Sequence, residues 1–167
     1  MEYISTGGIT SLIPTSFTRP ANTTPYTALD VVSNSTSAPT LLTFENMGYY
    51  PEHSGYITKA RILTNQSTNT ARFRLHLYHT APTAINDNSP YTLLYANKEK
   101  RIGAIDFGVC GTEGSGSDAA SAMNATLRLA YNCAEGSTNL YGILETLDAF
   151  TPASGQQFYI ELACEQN

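Results

Sequence analysis

RFRLHLYH, residues 72–79, alternates with a period of two. Phe73, Leu75 and Leu77 fall on one side of an extended chain, and Arg72, Arg74, His76 and Tyr78 fall on the other, because successive side chains of a strand point to opposite faces. This is the signature of a half-buried strand, with one side on a core and the other on water or a partner. FYIEL, residues 158–162, repeats it: Phe158, Ile160 and Leu162 oppose Tyr159 and Glu161.

Beyond these two segments, short β-branched and aromatic runs predict further strands near 26–32, 41–45, 55–64, 92–96, 101–108, 125–131 and 139–146. Between them lie SNSTSAPT, NMGYYPEHSG, NQSTNT, APTAINDNSP, GTEGSGSD and TPASGQQ, all rich in turn formers. SDAASAMNA, residues 117–125, reads as one or two helical turns. Many strands with no intervening long helix predict an all-β fold, an antiparallel β-sandwich of jelly-roll-like type. No repeat of 20–50 residues is visible in the sequence. The expected organisation is a single β-sandwich domain at 16–167 preceded by an extended N-terminal arm at 1–15, with Tyr3, Ile4, Ile9, Leu12 and Ile13 as isolated apolar anchors.

Charged residues make up 14% of the chain, so its surface is built largely from Ser, Thr, Asn and Gln. With 11 Tyr, no Trp and a net charge of −5, this composition suits protein contact and disfavours nucleic acid, which needs clustered Lys and Arg. No apolar run approaches the length of a membrane span. MEYISTGGITSLIP has no continuous apolar core of a secretory leader, which points to synthesis in the cytoplasm. Cys110, Cys133 and Cys164, odd in number and without a CxxC, fit free core thiols, although one bridge between two of them stays open.

Chemistry finds little purchase. His76 and His79 are three apart in a strand and so face opposite ways, and His53 lies far off in a loop, which disfavours a shared metal site. AINDNSP, residues 84–90, lacks the spaced ligands of a calcium loop; Asp87 and Asn88 read instead as a structural Asx turn. Asp106-Phe107-Gly108 spells a kinase tripeptide within a strand pattern, and GTEGSGSD lacks the Lys-Ser/Thr of a phosphate loop. No GxSxG elbow is present. The expectation is therefore no enzyme, no metal and no cofactor. Tyr49, Tyr50 and Tyr56, in and beside NMGYYPEHSG, form a candidate exposed contact loop.

FTRPANTTPYTALDVVS, residues 17–33, reads as architecture. Pro20 fixes φ and biases Arg19 toward extended backbone, Asn22 to Pro25 make a turn, and Tyr26 to Val32 run as a strand. Arg19 and Asp30 are expected to pair and pin the start of that strand.

That stretch, with GYITKARILTNQSTNTARFRLHLYHTAPTAINDNSPY and RIGAIDFG, resembles a family of small structural proteins that tailed bacteriophages encode beside their capsid genes. The resemblance covers most of residues 16–108 and the closing FYIEL; its most specific parts are Thr18-Arg19-Pro20 with Tyr26 to Val32, and Pro82 through Asn88. It implies a virion structural protein of decoration or cement type, bound to the major capsid protein on the outer face of the assembled head. It also implies a homo-oligomer, with a trimer favoured, and assembly inside the bacterium. The arm would then reach a neighbouring subunit. The competing expectation is a head-fibre or tail-associated module that binds a receptor or glycan through NMGYYPEHSG and AINDNSP.

Overall fold

Phe73, Leu75 and Leu77 turn inward from β5 (Phe73–Tyr78) and meet the inward side chains of a second sheet. The computed structural model describes residues 9–166. Within them the chain forms β1 (Ile9–Thr18), β2 (Val31–Val32), β3 (Leu42–Phe44), β4 (Ser54–Thr64), β5, β6 (Arg101–Asp106), β7 (Gly111–Thr112), β8 (Ala120–Asn124), β9 (Leu129–Asn132), β10 (Leu140–Thr146) and β11 (Gln157–Gln166). One sheet runs β1-β11-β4-β8-β7, with β9 also on β4; the other runs β2-β10-β5-β6, with β3 also on β10. All pairings between these strands are antiparallel.

β2 and β3 are two pieces of one interrupted strand along β10, and β8 and β9 are two pieces along β4. Counting each such pair as one strand, and setting aside the two-residue β7 that flanks β8, gives two four-stranded sheets whose order is that of a jelly roll, the double Greek key. The expected antiparallel sandwich is therefore the fold. Its core holds Phe44, Ile57, Ile62, Phe73, Leu75, Leu77, Ile105, Leu140, Phe158, Ile160 and Leu162, all essentially inaccessible. Toward the end of the sandwich where β1 and β4 finish, Phe158 is stacked on Phe17 of β1 at 5.3 Å and edge-on to Phe73 of β5 at 5.5 Å.

Close backbone approach sets one glycine. A Cβ on Gly55 would meet the Glu165 carbonyl oxygen and would lie 2.6 Å from the Tyr131 hydroxyl, whose ring sits across from Gly55 in the β4–β9 ladder. That hydroxyl donates to the Met47 carbonyl at 2.6 Å, so the ring is held and cannot swing aside. Gly55→Ala is expected to destabilise by about 1–3 kcal/mol, as overpacking does. A chemical-denaturation midpoint equal to wild type would contradict this.

Four sequence expectations differ from the structure for local reasons. Residues 9–15 of the expected arm are part of β1, paired in register with β11 from Ile9↔Gln166 to Thr18↔Gln157. Pro14 is tolerated there because β1 is an edge strand. The strand expected at 26–32 shrinks to Val31–Val32 and an isolated bridge from Tyr26 to Phe150. Its middle is a turn, in which Leu29 has φ +75° and the Asp30 carboxylate accepts the Thr27 amide at 2.7 Å. Residues 92–96 carry only a 3-10 turn, Tyr95–Asn97. The 117–125 segment holds strand β8, not helix, because Ala120 and Ala122 are the small inward side chains its place on β4 requires.

The outer face of β5 is the fifth difference. His76 and Tyr78 are buried, covered by the connection from β5 to β6 rather than by water or a partner. The Tyr91 ring of that connection stacks on His76, and its hydroxyl is 2.6 Å from that of Tyr78. A second small apolar cluster forms beneath it, from Val31, Tyr78 and Ile143 with Ile85 and Tyr91.

Candidate functional site

Arg19 follows β1 directly and turns inward, where it is one of the largest fully buried side chains. Its partner is Asp87 and not Asp30. The Nη2 donates to Asp87 Oδ2 at 3.3 Å, and the Nε donates to the Tyr26 hydroxyl at 2.8 Å. Tyr26 in turn donates to Asp87 Oδ1 at 2.6 Å, and the Ser33 amide donates to the same oxygen at 2.9 Å. The remaining guanidinium hydrogens reach the carbonyls of Asn22 at 2.7 Å and Ala153 at 3.3 Å. Burial, and then the bond to the Asp87 carboxylate, push the Tyr26 hydroxyl well above the usual tyrosine range, so it stays a donor.

Asp30 is committed to its own turn through Thr27, while Asp87 is the carboxylate that reaches the buried guanidinium from the far loop. Asn88 holds that loop in a left-handed conformation, φ +59°, and its amide donates to Val31 at 2.9 Å. With its side-chain nitrogen turned toward the acceptors it also bonds the Pro25 carbonyl and Asp30 Oδ2, at 3.3 and 3.2 Å. Pro20 supplies a carbonyl to the Asn22 amide at 2.8 Å. Arg19, Pro20, Asp30, Asp87 and Asn88 are thus one structural unit that locks two loops, 68 positions apart, to the end of the sandwich. The carboxylate of Asp87 accepts three hydrogen bonds within this arrangement, from Arg19, Tyr26 and the Ser33 amide.

The exposed side chains lie elsewhere. Tyr49 and Tyr50, in the connection from β3 to β4, are 51% and 67% exposed. They gather around His53, with ring centroids 5.8 and 5.3 Å from it, and the Tyr49 amide donates to His53 Nδ1 at 3.2 Å. Tyr56 is not part of this group: it lies on the outer face of β4, with the Arg128 guanidinium 4.4 Å over its ring. Of the arm residues, Leu12 is exposed on β1 and Ile13 packs on the core. Only the backbone pairing of Ile9 is described, and Tyr3 and Ile4 lie outside the described residues. Sequence reading missed Leu93, Leu94 and Tyr95, exposed in the β5–β6 connection. Their run of apolar residues looked like a strand, and that same run was the signal.

Both connections leave the sandwich near the start of β10, since Phe44 pairs with Leu140 and Tyr78 with Tyr141. The exposed aromatics therefore sit toward one end, and the Arg19–Asp87 lock at the other, where β1 ends opposite Gln157. At the lock end of the first sheet an open groove of about 600 Å³ runs over Ser16, Thr18, Asn65, Asp118, Gln157 and Tyr159.

The titratable clusters are engaged in structure. His76 bonds Glu145 through Nε2 and Arg101 through Nδ1, and His79 Nε2 bonds the Glu99 carbonyl at 2.8 Å. Among the described residues no three His, Cys, Asp or Glu side chains converge on a metal-sized site. The three cysteines are buried and free, and burial raises the Cys110 and Cys133 thiols to about 11. Two of the surface ion pairs are bidentate: Arg72 on Asp148, and Arg74 on Asp106.

No protein-family model matches the chain. No curated protein matches it either. Among solved structures, a chain titled turnip yellow mosaic virus aligns over 100% of this chain and 85% of its own, at 8% identity and a TM-score of 0.29, too loose a likeness to bear on function.

Proposed function

We propose that this chain is a virion structural protein of a tailed bacteriophage, a decoration or cement protein that binds the major capsid protein on the outer surface of the assembled head. The observation that carries the reading is the buried lock. Thr18-Arg19-Pro20 with Tyr26, and the loop ending at Asp87 and Asn88, are the segments on which the sequence resemblance is most specific, and they meet in one network. The resemblance therefore rests on residues that hold the fold together. A jelly roll is also an architecture that capsid proteins use, although it serves lectins as well and does not fix function by itself.

Such a protein acts by binding energy. Occupying sites present only on the assembled shell stabilises that state by RT ln(1 + [L]/Kd), about 2.7 kcal/mol per site at a hundredfold excess over Kd. Tyr49 and Tyr50 supply exposed, rigid, amphipathic contact area of the kind that dominates interfaces. A homotrimer at a junction of capsid subunits would multiply that contact.

Replacing both tyrosines, Tyr49→Ser with Tyr50→Ser, is expected to weaken cosedimentation with empty heads on the order of 30-fold, as losing a 2 kcal/mol hot spot does. The melting temperature should hold, because both rings are exposed. Equal binding by the variant would remove this surface from the reading. The second reading, a receptor- or glycan-binding module, is favoured by the groove that sets Tyr159 among Asn, Asp, Gln, Ser and Thr side chains. Retention on a glycan array, with no binding to heads, would favour it instead.

A further inference from the structure

His76 lies on the outer face of β5 and is only 3% exposed. Each element around it presents a polar or charged group. From β10, Glu145 Oε2 is 2.9 Å from Nε2. From β6, Arg101 Nη2 is 3.1 Å from Nδ1. From the β5–β6 connection, the Tyr91 ring lies parallel to the imidazole, centroids 3.7 Å apart and planes 7° apart. Along β5 itself, the Arg74 guanidinium is 3.8 Å from Glu145 Oε2 and 2.6 Å from Asp106 of β6, and Tyr78 bonds the hydroxyl of Tyr91.

Donor and acceptor roles fix the proton. An arginine only donates, so Nδ1 must accept from Arg101; Nε2 then carries the ring's single hydrogen and donates it to Glu145. The network is satisfied by a neutral imidazole alone. A second proton, on Nδ1, would point a donor at a donor and set two cations side by side. Besides these contacts the covering segment is held at its start, by the Tyr91 amide on the Leu29 carbonyl at 3.0 Å and a bridge from Pro90 to Asp30; farther along Leu94 and Tyr95 are exposed, and Leu94, Tyr78 and Ile143 line an open slot of about 160 Å³.

We propose that His76 is an acid-sensitive latch: protonation of Nδ1 displaces Arg101, unstacks Tyr91 and releases residues 90–97 from the outer face of the sheet, exposing Tyr78 and Ile143. The Arg19–Asp87 lock keeps the preceding residues of the connection in place. Burial first, and then the Arg101 and Arg74 charges, hold the His76 imidazole down at about 3, against an ordinary 6.5. A group depressed in the closed state contributes its full stabilisation above about pH 6.5 and loses it as the pH falls toward 3. Opening gains at most about tenfold per pH unit across that window. Glu145, raised by burial, takes up a proton in the closed state and makes the slope shallower, while Asp106, held down by Arg74, stays charged through most of it.

Hydrogen exchange of the full chain, corrected for the intrinsic pH dependence of exchange, reads this directly. Between neutral pH and about pH 5 the opening equilibrium read at the Tyr91 amide, which is bonded to Leu29, should rise by up to about 30-fold, with β4 and β11 still protected. His76→Gln keeps an N–H for Glu145 and an oxygen for Arg101 but cannot titrate, so its segment should show no such rise. A flat wild-type profile, opening only together with β4 and β11, or an unchanged acid response in His76→Gln would each overturn the latch. Should that variant fail to fold, nitrogen chemical shifts of His76 in the wild-type protein serve: a neutral Nε2–H ring while the segment is closed is expected, and protonation near pH 6.5 with the segment still closed would overturn it.

Discussion

Asp87→Ala should cost about 3–5 kcal/mol of folding stability, because it leaves the Arg19 guanidinium buried without its counter-ion. Both side chains of this pair are at most 1% exposed, so water cannot take over the missing charge. The same change strips the acceptor from the Tyr26 hydroxyl and from the Ser33 amide. Single domains have only about 5–15 kcal/mol in total, so the variant should be largely unfolded or strongly sensitive to mild denaturant. Arg19→Met tests the other side of the pair. Combined with Asp87→Ala, it should cost less than the sum of the two single changes by more than about 1 kcal/mol, since the two groups share one network. Additivity to within about 0.5 kcal/mol would show that the pair is not the unit described.

Phe158→Ala should be comparably damaging, about 3–5 kcal/mol, for a different reason. Its ring contacts Phe17 on the edge strand and Phe73 in the facing sheet, so truncation opens a cavity where both sheets and β1 meet. Edge strand β1 pairs on one side with β11 and has Phe17 and Ile13 as its apolar points on the core. Its amides should therefore exchange faster than those of β4 in the variant, well before global unfolding. A loss under about 1.5 kcal/mol, with β1 still fully protected, would mean the core collapses around the gap.

What could be read from residues alone was whatever kept its period. RFRLHLYH and FYIEL alternate cleanly, and they became β5 and part of β11 with the predicted inward faces. β1 escaped because its apolar residues fall on both faces, Leu12 outward and Ile13 and Phe17 inward, and Pro14 interrupts it. β8 escaped because the small inward alanines that fit against β4 also read as helix formers. The segment 26–32 looked like a strand by composition, while a positive φ at Leu29 and the Asp30 carboxylate on Thr27 make it a turn.

The lock was half legible. Arg19 beside Pro20 announced a structural cation, and Asp87 beside Asn88 announced a structural turn, yet local reasoning joined Arg19 to the nearer Asp30. Sequence distance decides nothing once a jelly roll folds a 68-residue separation back to contact. The burial of His76 and Tyr78 was hidden for the same reason: alternation says which side of a strand is polar, and it does not say what crosses over that side. Here the chain itself crosses, through Tyr91.

Purified virions that carry this chain test the functional reading most directly, by imaging of the head together with quantitation of the chain per particle. The reading predicts sandwich density repeated over the outer capsid lattice, at a copy number that scales with the capsid subunits, with the Tyr49–His53 end turned toward the shell. A handful of copies confined to the tail or to a fibre, or none on the particle, would contradict it.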